Sequence, residues 1–177
     1  MSEPIDIIIL PGDGIGPAVA EAARRIVEAA MPPGAVRFKT HLFGGAAIDA
    51  HGEPLPAATL EACRAADAVL LGAVGGPTWD ELPQGQRPEA GILRLRRELG
   101  AFANIRPVST NMTGQTGRYG EFDLVVVREL TGGIYFGEPR GRMGAGAVPG
   151  HDEQAVNTMR YSRPEVERIA VIGMREA

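Results

Sequence analysis

The sequence has very little lysine and very little cysteine. Its 177 residues include one lysine, Lys39, against 17 arginines, and one cysteine, Cys63. A mechanism that needs two lysines is therefore excluded for this chain. A lone cysteine cannot form an internal disulfide, which suits a reducing compartment. No apolar run reaches the length of about 18 residues that a transmembrane helix requires, so no membrane partner is expected.

Aromatic residues and clustered positive charge are also scarce. Aromatics make up 5% of the chain, the net charge is −4, and the arginines form no basic run. Because nucleic-acid surfaces combine clustered positive charge with stacking side chains, no nucleic-acid partner is expected. The apolar stretch near the N-terminus is short and lacks the basic lead of a signal peptide, so we expect a cytoplasmic protein.

Glycine, by contrast, is abundant, and it separates alternating strands and helices. The chain has 24 glycines, about twice the usual share. Residues 5–10 form a β-branched run that ends at Pro11, which is typical of a buried parallel strand. Further strands are predicted at 36–42 and 68–74, with a helix at 56–66 and a glycine- and proline-containing loop before it. This order predicts an α/β fold with an open twisted sheet and flanking helices.

The first predicted helix covers residues 18–31. Its apolar positions have helical spacing and are expected to form one stripe against the sheet: Val19, Ala23, Ile26, Val27 and Ala30.

The residue pattern of the sequence changes near residue 100, where we place a domain boundary. A long loop at 75–88 and a helix at 90–99 come before it, and strands at 103–108 and 122–128 follow it. The segment from Gly132 to Gly150 is rich in glycine and arginine, has little helical character, and is predicted to project as an arm. Ser162 and Glu165 then have capping-box spacing, which predicts a helix that begins there.

Two glycine-containing loops are candidate ligand sites. The segment 12–16 joins the first strand to the first helix, but Pro17 occupies the position where a dinucleotide fingerprint needs its third glycine. It therefore fits either an anion-binding turn or a tight connection. The segment 75–80 follows the third strand, at the edge where open α/β sheets bind ligands. Trp79 there fits either ligand contact or a buried anchor, and Glu89 fits a carboxylate at a helix start.

Three arginines and one tyrosine carry possible chemistry. Arg96, Arg106 and Arg128 would clamp a small dicarboxylate if the fold brought them together, because guanidinium groups bind carboxylates bidentately. Otherwise each is a solvated surface group. Tyr135, between glycines, fits either a proton donor or an aromatic side chain packed at the base of the arm.

Four segments together resemble a known family. They are ILPGDGIGP at 9–17, GGPTWD at 75–80, FANIRP at 102–107 and VRELTGGIYFGEPRG at 127–141. They resemble the decarboxylating β-hydroxyacid dehydrogenases, the isocitrate and isopropylmalate dehydrogenase family. The last segment is the most specific of the four, and the resemblance runs from the first strand to the C-terminus.

The resemblance implies roles for particular residues. It implies that Arg96, Arg106 and Arg128 hold the substrate carboxylates and that Tyr135 helps protonate the enol left after decarboxylation. It implies NAD as the cofactor, with these residues along it: Gly76, Pro77, Thr78, Trp79 and Glu89. Ile92 and Leu93 match the substrate-discriminating segment, and their apolar side chains suit an isopropyl group better than a third carboxylate.

The implied activity is NAD-dependent oxidative decarboxylation of 3-isopropylmalate in leucine biosynthesis, assisted by Mg²⁺ or Mn²⁺. Tartrate-like, malate-like and isocitrate-like compounds are alternative substrates. A non-catalytic dimerisation module is the alternative to an enzyme. The family's proton-relay lysine and metal-binding aspartates are expected beyond the position of Ala177. We therefore expect a truncated and inactive form, with no metal ligands of its own.

The resemblance also implies how the chain is organised. Residues 1–100 would be the first part of a cofactor-side α/β domain, and residues 101–177 the first part of a substrate and dimerisation domain. Both domains would be incomplete. A homodimer is expected through the arm, which the resemblance places at about 132–161.

Overall fold

The computed structural model describes residues 3–110, 120–144, 150 and 152–177. The chain divides into two compact units, Met1–Leu99 and Gly100–Ala177. Among the described residues, no helix combines the length and the apolar character needed to cross a bilayer.

The first unit is a parallel sheet with helices packed against it. In chain order its elements are β1 (Ile5–Gly12), α1 (Gly16–Ala30), β2 (Val36–Thr40), α2 (Gly45–His51), α3 (Ala57–Ala65), β3 (Ala68–Ala73) and α4 (Pro88–Glu98). Short 3-10 turns at Pro77–Trp79 and Gln84–Gln86 interrupt the long loop. The strand order is β2-β1-β3 and both pairings are parallel. The predicted α/β fold is confirmed.

The hydrophobic core lies on one face of this sheet. Ile8 and Leu10 of β1 are buried there in a cluster with side chains from the loops before and after α2 and from α3 and α4: Phe43, Leu55, Leu60, Cys63 and Leu95. Because side chains alternate along a strand, Ile9 is buried on the opposite face. Helix α1 contacts β1 and β3.

The contact face of α1 differs from the predicted stripe. Gly16 and Ala20 are the buried residues of this helix. Val19, Ile26 and Ala30 are exposed instead, and Ala23 and Val27 are half-buried. The predicted stripe was wrong at the three exposed positions because the buried face of the helix is formed by its smallest residues, which permit close approach to the sheet.

Helix α2 was not predicted, because Gly44 and Gly45 suggest a loop. Its first turn has no side-chain cap from its own N-cap residue. The main-chain amides of Gly45 and Ala46 donate instead to the carboxylate of Asp13, which lies more than 30 positions earlier in the chain. A cap supplied from so far away leaves no local pattern.

The second unit contains two antiparallel strand pairs and a helix. Strands β4 (Ala103–Ser109) and β5 (Asp123–Glu129) form one pair, and β6 (Arg140–Met143) and β7 (Gln154–Asn157) form the other. A 3-10 turn at Gly133–Tyr135 follows β5, and helix α5 covers Arg163–Glu176. The predicted capping box is confirmed, since the carboxylate of Glu165 accepts from the amide and hydroxyl of Ser162. Residues 145–149 and 151 of the arm, and 111–119 before β5, lie outside the described residues.

Candidate functional site

A buried carboxylate, Asp13, holds the carboxyl edge of the sheet in the first unit together. Its side chain accepts hydrogen bonds from the amides of Gly45, Ala46 and Gly75 at 2.8, 2.8 and 2.9 Å. Its own amide donates to the carbonyl of Ala73 at 2.6 Å. One side chain thus connects the end of β1, the start of α2 and the loop after β3.

The packing of the glycine turn favours one of its two interpretations. The amide of Gly16, at the start of α1, donates to the main-chain carbonyl of Asp13 at 2.8 Å. The turn itself is closely packed, because a methyl group on Gly12 or Gly16 would overlap main-chain atoms of Ala73 or Pro11. The structure favours a tight connection here.

Trp79 anchors the loop after β3. Its indole nitrogen donates to Asp49 in α2 at 3.0 Å, and its ring lies directly against Gly45. The side chain is half-buried, whereas Pro77 and Thr78 beside it are exposed. The loop therefore presents an accessible surface at the carboxyl edge of the parallel sheet, which is the usual ligand-binding edge of this type of fold.

Helix α4 carries four of the predicted site residues. Glu89 lies in its first turn and its carboxylate faces Gly75, at the other end of the loop that Trp79 anchors. Ile92 packs against the hydrophobic core, and Leu93 is half-buried. Arg96, one turn further on, is also half-buried.

In the second unit, the pairing of β4 with β5 brings two of the predicted arginines to one face. Asn104 pairs directly with Arg128, and Arg106 lies two positions after Asn104 on the same strand. The period of two in a strand therefore places all three side chains on one side of the ribbon. The guanidinium Nε of Arg106 donates to the Asn104 side-chain oxygen at 2.6 Å. We call these three residues the arginine face.

Tyr135 joins the arginine face from the turn that follows β5. The guanidinium carbon of Arg128 lies 5.2 Å from the centre of the Tyr135 ring, within cation–π range. The main-chain carbonyl of Tyr135 accepts from Arg140 at 2.8 Å. The fold thus brings Arg106 and Arg128 to one face of the strand pair and places the Tyr135 ring beside Arg128, whereas Arg96 belongs to the first unit.

A second buried carboxylate, Glu129, lies at the end of β5. It accepts from the Thr131 and Gly132 amides at 2.8 and 2.7 Å, from the Thr131 hydroxyl at 2.8 Å, and from Arg168 at 2.5 Å. Burial acts to raise the pKa of Glu129, but the hydrogen bonds from Thr131, Arg168 and Gly132 outweigh it, so the pKa lies below its ordinary value. The carboxylate is therefore charged under ordinary conditions.

Reasoning from the sequence missed both Asp13 and Glu129. Each lies inside a segment that was noticed for other residues: glycines around Asp13, and Arg128 and Tyr135 around Glu129. A usable signal is an acidic residue at a strand end within three residues of a glycine, since buried charges need partners and tight turns supply amides.

Metal ligands do not assemble in the part of the chain that the structure describes. There, no three His, Cys, Asp or Glu side chains come together in a way that could hold an ion. The side chains of the described residues therefore do not by themselves fit a divalent metal.

Sequence and structure comparisons place the chain among known proteins. A family model described as isocitrate/isopropylmalate dehydrogenase matches residues 6–177. The chain is 50% identical to a 3-isopropylmalate dehydrogenase of Prochlorococcus marinus (strain MIT 9313), with 97% of this chain and 49% of the relative covered. It is 46% identical to that of Escherichia coli (strain K12), with 100% and 50% covered. The chain therefore spans about half the length of these curated relatives.

Solved structures give a consistent result. An isocitrate dehydrogenase from Methylococcus capsulatus superposes with a TM-score of 0.74 at 29% identity, covering 95% of this chain and 46% of the other. A beta-decarboxylating dehydrogenase from Thermococcus kodakarensis, in its apo form, gives 0.65 at 34% identity, covering 95% and 44%.

Proposed function

Because this chain belongs to the isocitrate/isopropylmalate dehydrogenase family, we propose that it carries the dicarboxylate-binding face and the cofactor-side unit of an NAD-dependent oxidoreductase. The proposed substrate is 3-isopropylmalate, and the proposed role is in leucine biosynthesis in the cytoplasm. The observation that carries the proposal is the arginine face, Asn104, Arg106 and Arg128, with the Tyr135 ring beside Arg128.

The arginine face is suited to a dicarboxylate. Two guanidinium groups on one side of a ribbon present paired N–H donors that match carboxylate oxygens. Asn104 holds the Arg106 fork by a hydrogen bond at Nε, which leaves the outer nitrogens for a ligand. We also propose Arg96, on α4, as a substrate-binding arginine, as the family resemblance implies.

Tyr135 is the proposed proton donor. Oxidation of the hydroxyl carbon and loss of carbon dioxide leave an enol, which must gain a proton at carbon to become the product ketone. Because the Tyr135 ring lies beside Arg128, a proposed carboxylate-binding residue, we propose that its phenol helps to deliver that proton.

The loop at 75–88 is the proposed cofactor segment, and when bound, NAD would accept the hydride from the hydroxyl carbon. Gly76, Pro77, Thr78 and Trp79 would lie along the cofactor, with Glu89 at the far end of the loop. The exposed Pro77 and Thr78 fit this role. Trp79 would act chiefly by fixing the loop against α2, because its indole nitrogen already donates to Asp49.

The apolar side chains of α4 favour an isopropyl substituent over a third carboxylate. Leu93 is the stronger specificity candidate, since Ile92 is engaged with the core. Isocitrate, which needs polar partners for its extra carboxylate, is the disfavoured substrate, and malate-like substrates are intermediate.

The proposal is tested by calorimetric titration of the 177-residue chain with 3-isopropylmalate. We expect binding that Arg106→Ala weakens at least about tenfold, because a charge-assisted hydrogen bond contributes about 1.5–3 kcal/mol. Arg142→Ala is the matched control, since that arginine is exposed on β6 of the same unit. Binding that is unchanged by Arg106→Ala would count against the arginine face.

A second arm of the experiment adds NAD and Mg²⁺ and follows NADH by absorbance. The family resemblance implies a proton-relay lysine that acts with the tyrosine. We propose that these 177 residues alone are inactive, since their sole lysine, Lys39, lies on β2 in the first unit. NADH production by the purified chain would refute that part of the proposal.

A further inference from the structure

Glu129 and Arg128 are neighbours in β5 that serve opposite faces of the ribbon. Arg128 belongs to the arginine face, and the next residue in a strand points the other way. The Glu129 side chain is only 6% exposed and pairs with Arg168 of α5. The strand end therefore has a ligand-facing cation on one side and a buried anion on the other.

The Glu129 carboxylate defines the turn that follows it. One oxygen, Oε2, accepts both main-chain amides of the turn, from Thr131 and Gly132. The other, Oε1, accepts the Thr131 hydroxyl and the Arg168 guanidinium. Both oxygens are fully used within the protein, so this carboxylate is not available to a ligand.

The turn has little freedom to adopt another path. Gly133 has φ +65°, a conformation that strongly favours glycine, and its amide donates to the carbonyl of Arg160 at 2.9 Å. A methyl group on Gly132 would lie 3.0 Å from Glu165 and 3.4 Å from Glu129. Tyr135 follows two residues later, with its ring beside the Arg128 guanidinium.

Arg168 extends the connection to β4. Its guanidinium lies 4.5 Å from the centre of the Phe102 ring, and the carbonyl of Phe102 accepts from the Leu130 amide at 2.8 Å. Phe102 immediately precedes the strand that carries Asn104 and Arg106. The same ion pair therefore supports both strands of the arginine face from behind.

We infer that Glu129 is a positioning residue that, through its bonds to the turn and to Arg168, holds Tyr135 and Arg128 in the geometry required for proton delivery. The inference rests on the proposed function of Tyr135. It adds that Glu129, which touches no substrate, sets the distance between Tyr135 and the arginine face.

The test labels the full chain with 3-fluorotyrosine and records ¹⁹F spectra. Tyr135→Phe identifies the resonance of position 135. In Glu129→Gln, which keeps the shape but loses the charge and half of the acceptor capacity, we expect this resonance to move toward the value of free 3-fluorotyrosine as the cation–π contact loosens. Glu167→Gln is the matched control, because Glu167 pairs only with exposed Arg163 on α5, and it should leave the resonance in place.

A merely structural carboxylate would lower stability without changing this signal in the folded population. An unmoved resonance in folded Glu129→Gln would therefore overturn the inference. If that variant does not fold, Thr131→Val decides, since it removes only the hydroxyl that links Glu129 and Arg168. It should move the same resonance by a smaller amount, and an unmoved resonance would again overturn the inference.

The ¹⁹F test needs no ligand, so it stands apart from the proposed function. Titrating the labelled wild-type chain with 3-isopropylmalate is a separate arm that reports on substrate binding. Failure of that arm with a positive Glu129 result would refute the substrate and leave the positioning role intact.

Discussion

At the scale of single residues, the two buried carboxylates organise the chain more than the residues that first attract notice. Asp13 and Glu129 each accept two or more main-chain amides from chain segments that turn sharply at glycines. A buried carboxylate costs much unless it is fully hydrogen-bonded, and tight turns provide amides that need acceptors. Each carboxylate and its turn therefore stabilise each other.

The charge on Glu129 predicts a particular dependence of stability on pH. Its pKa is lower in the folded chain than its ordinary value, so its contribution is present above the unfolded pKa of about 4.3 and is lost as the pH falls through the folded value. Glu129→Gln should lower the free energy of unfolding at pH 7 by roughly 1–3 kcal/mol. The difference from the wild type should shrink as the pH is lowered below about 4.

Urea unfolding, followed through the amide resonances of Thr131 and Gly132, measures this free energy at each pH. Glu167→Gln should stay within about 0.5 kcal/mol of the wild type throughout, since exposed ion pairs contribute little. A Glu129→Gln deficit that is constant between pH 7 and pH 3 would contradict the assignment of a charged, hydrogen-bonded carboxylate.

At the scale of elements, the sequence predicts those whose signals are local. The β-branched run of β1 ends at a proline and a glycine, and the start of α5 has its capping box within four residues. Helix α2 depends on Asp13, and the meeting of Arg106 with Arg128 depends on strand register across residues 104–128. Such long-range contacts leave no periodic pattern in either segment, so they could not be predicted.

The contact face of α1 provides a test at this scale. Ala20 is 2% exposed and packed, whereas Ile26 is 69% exposed. Ala20→Leu should overpack the helix–sheet contact and lower the free energy of unfolding by about 1–3 kcal/mol. Ile26→Ser should change the free energy of unfolding by no more than about 0.5 kcal/mol, because isoleucine and serine have similar helix propensities and the site is exposed.

Urea unfolding followed by tryptophan fluorescence measures both variants, since Trp79 is the only tryptophan and lies in the first unit. If the predicted apolar stripe formed the contact with the sheet, Ile26→Ser would lower the free energy of unfolding more than Ala20→Leu. A larger loss of unfolding free energy for Ile26→Ser than for Ala20→Leu would therefore support the predicted stripe and contradict the packing described above.

At the scale of the whole molecule, the chain spans about half the length of the curated relatives it matches and divides into two compact units. The family resemblance was predictable because four segments hold its motifs at fixed spacing, and it is confirmed by the family match over residues 6–177. The proposed homodimer concerns the arm at 132–161, whose described residues leave large apolar side chains in solvent: Ile134, Met159 and Tyr161.

The family resemblance implies a homodimer through the arm, and we expect a second copy of the chain to cover these side chains. Light scattering on the eluting chain should give about twice its 18.7 kDa mass. Met159→Asp should shift the mass toward that of one chain by placing a charge in the contact. Met174→Asp, on an equally exposed methionine of α5 outside the arm, should remain a dimer. A wild-type chain that elutes as a monomer would refute the dimer. A dimer lost with Met174→Asp and kept with Met159→Asp would place the contact elsewhere than the arm.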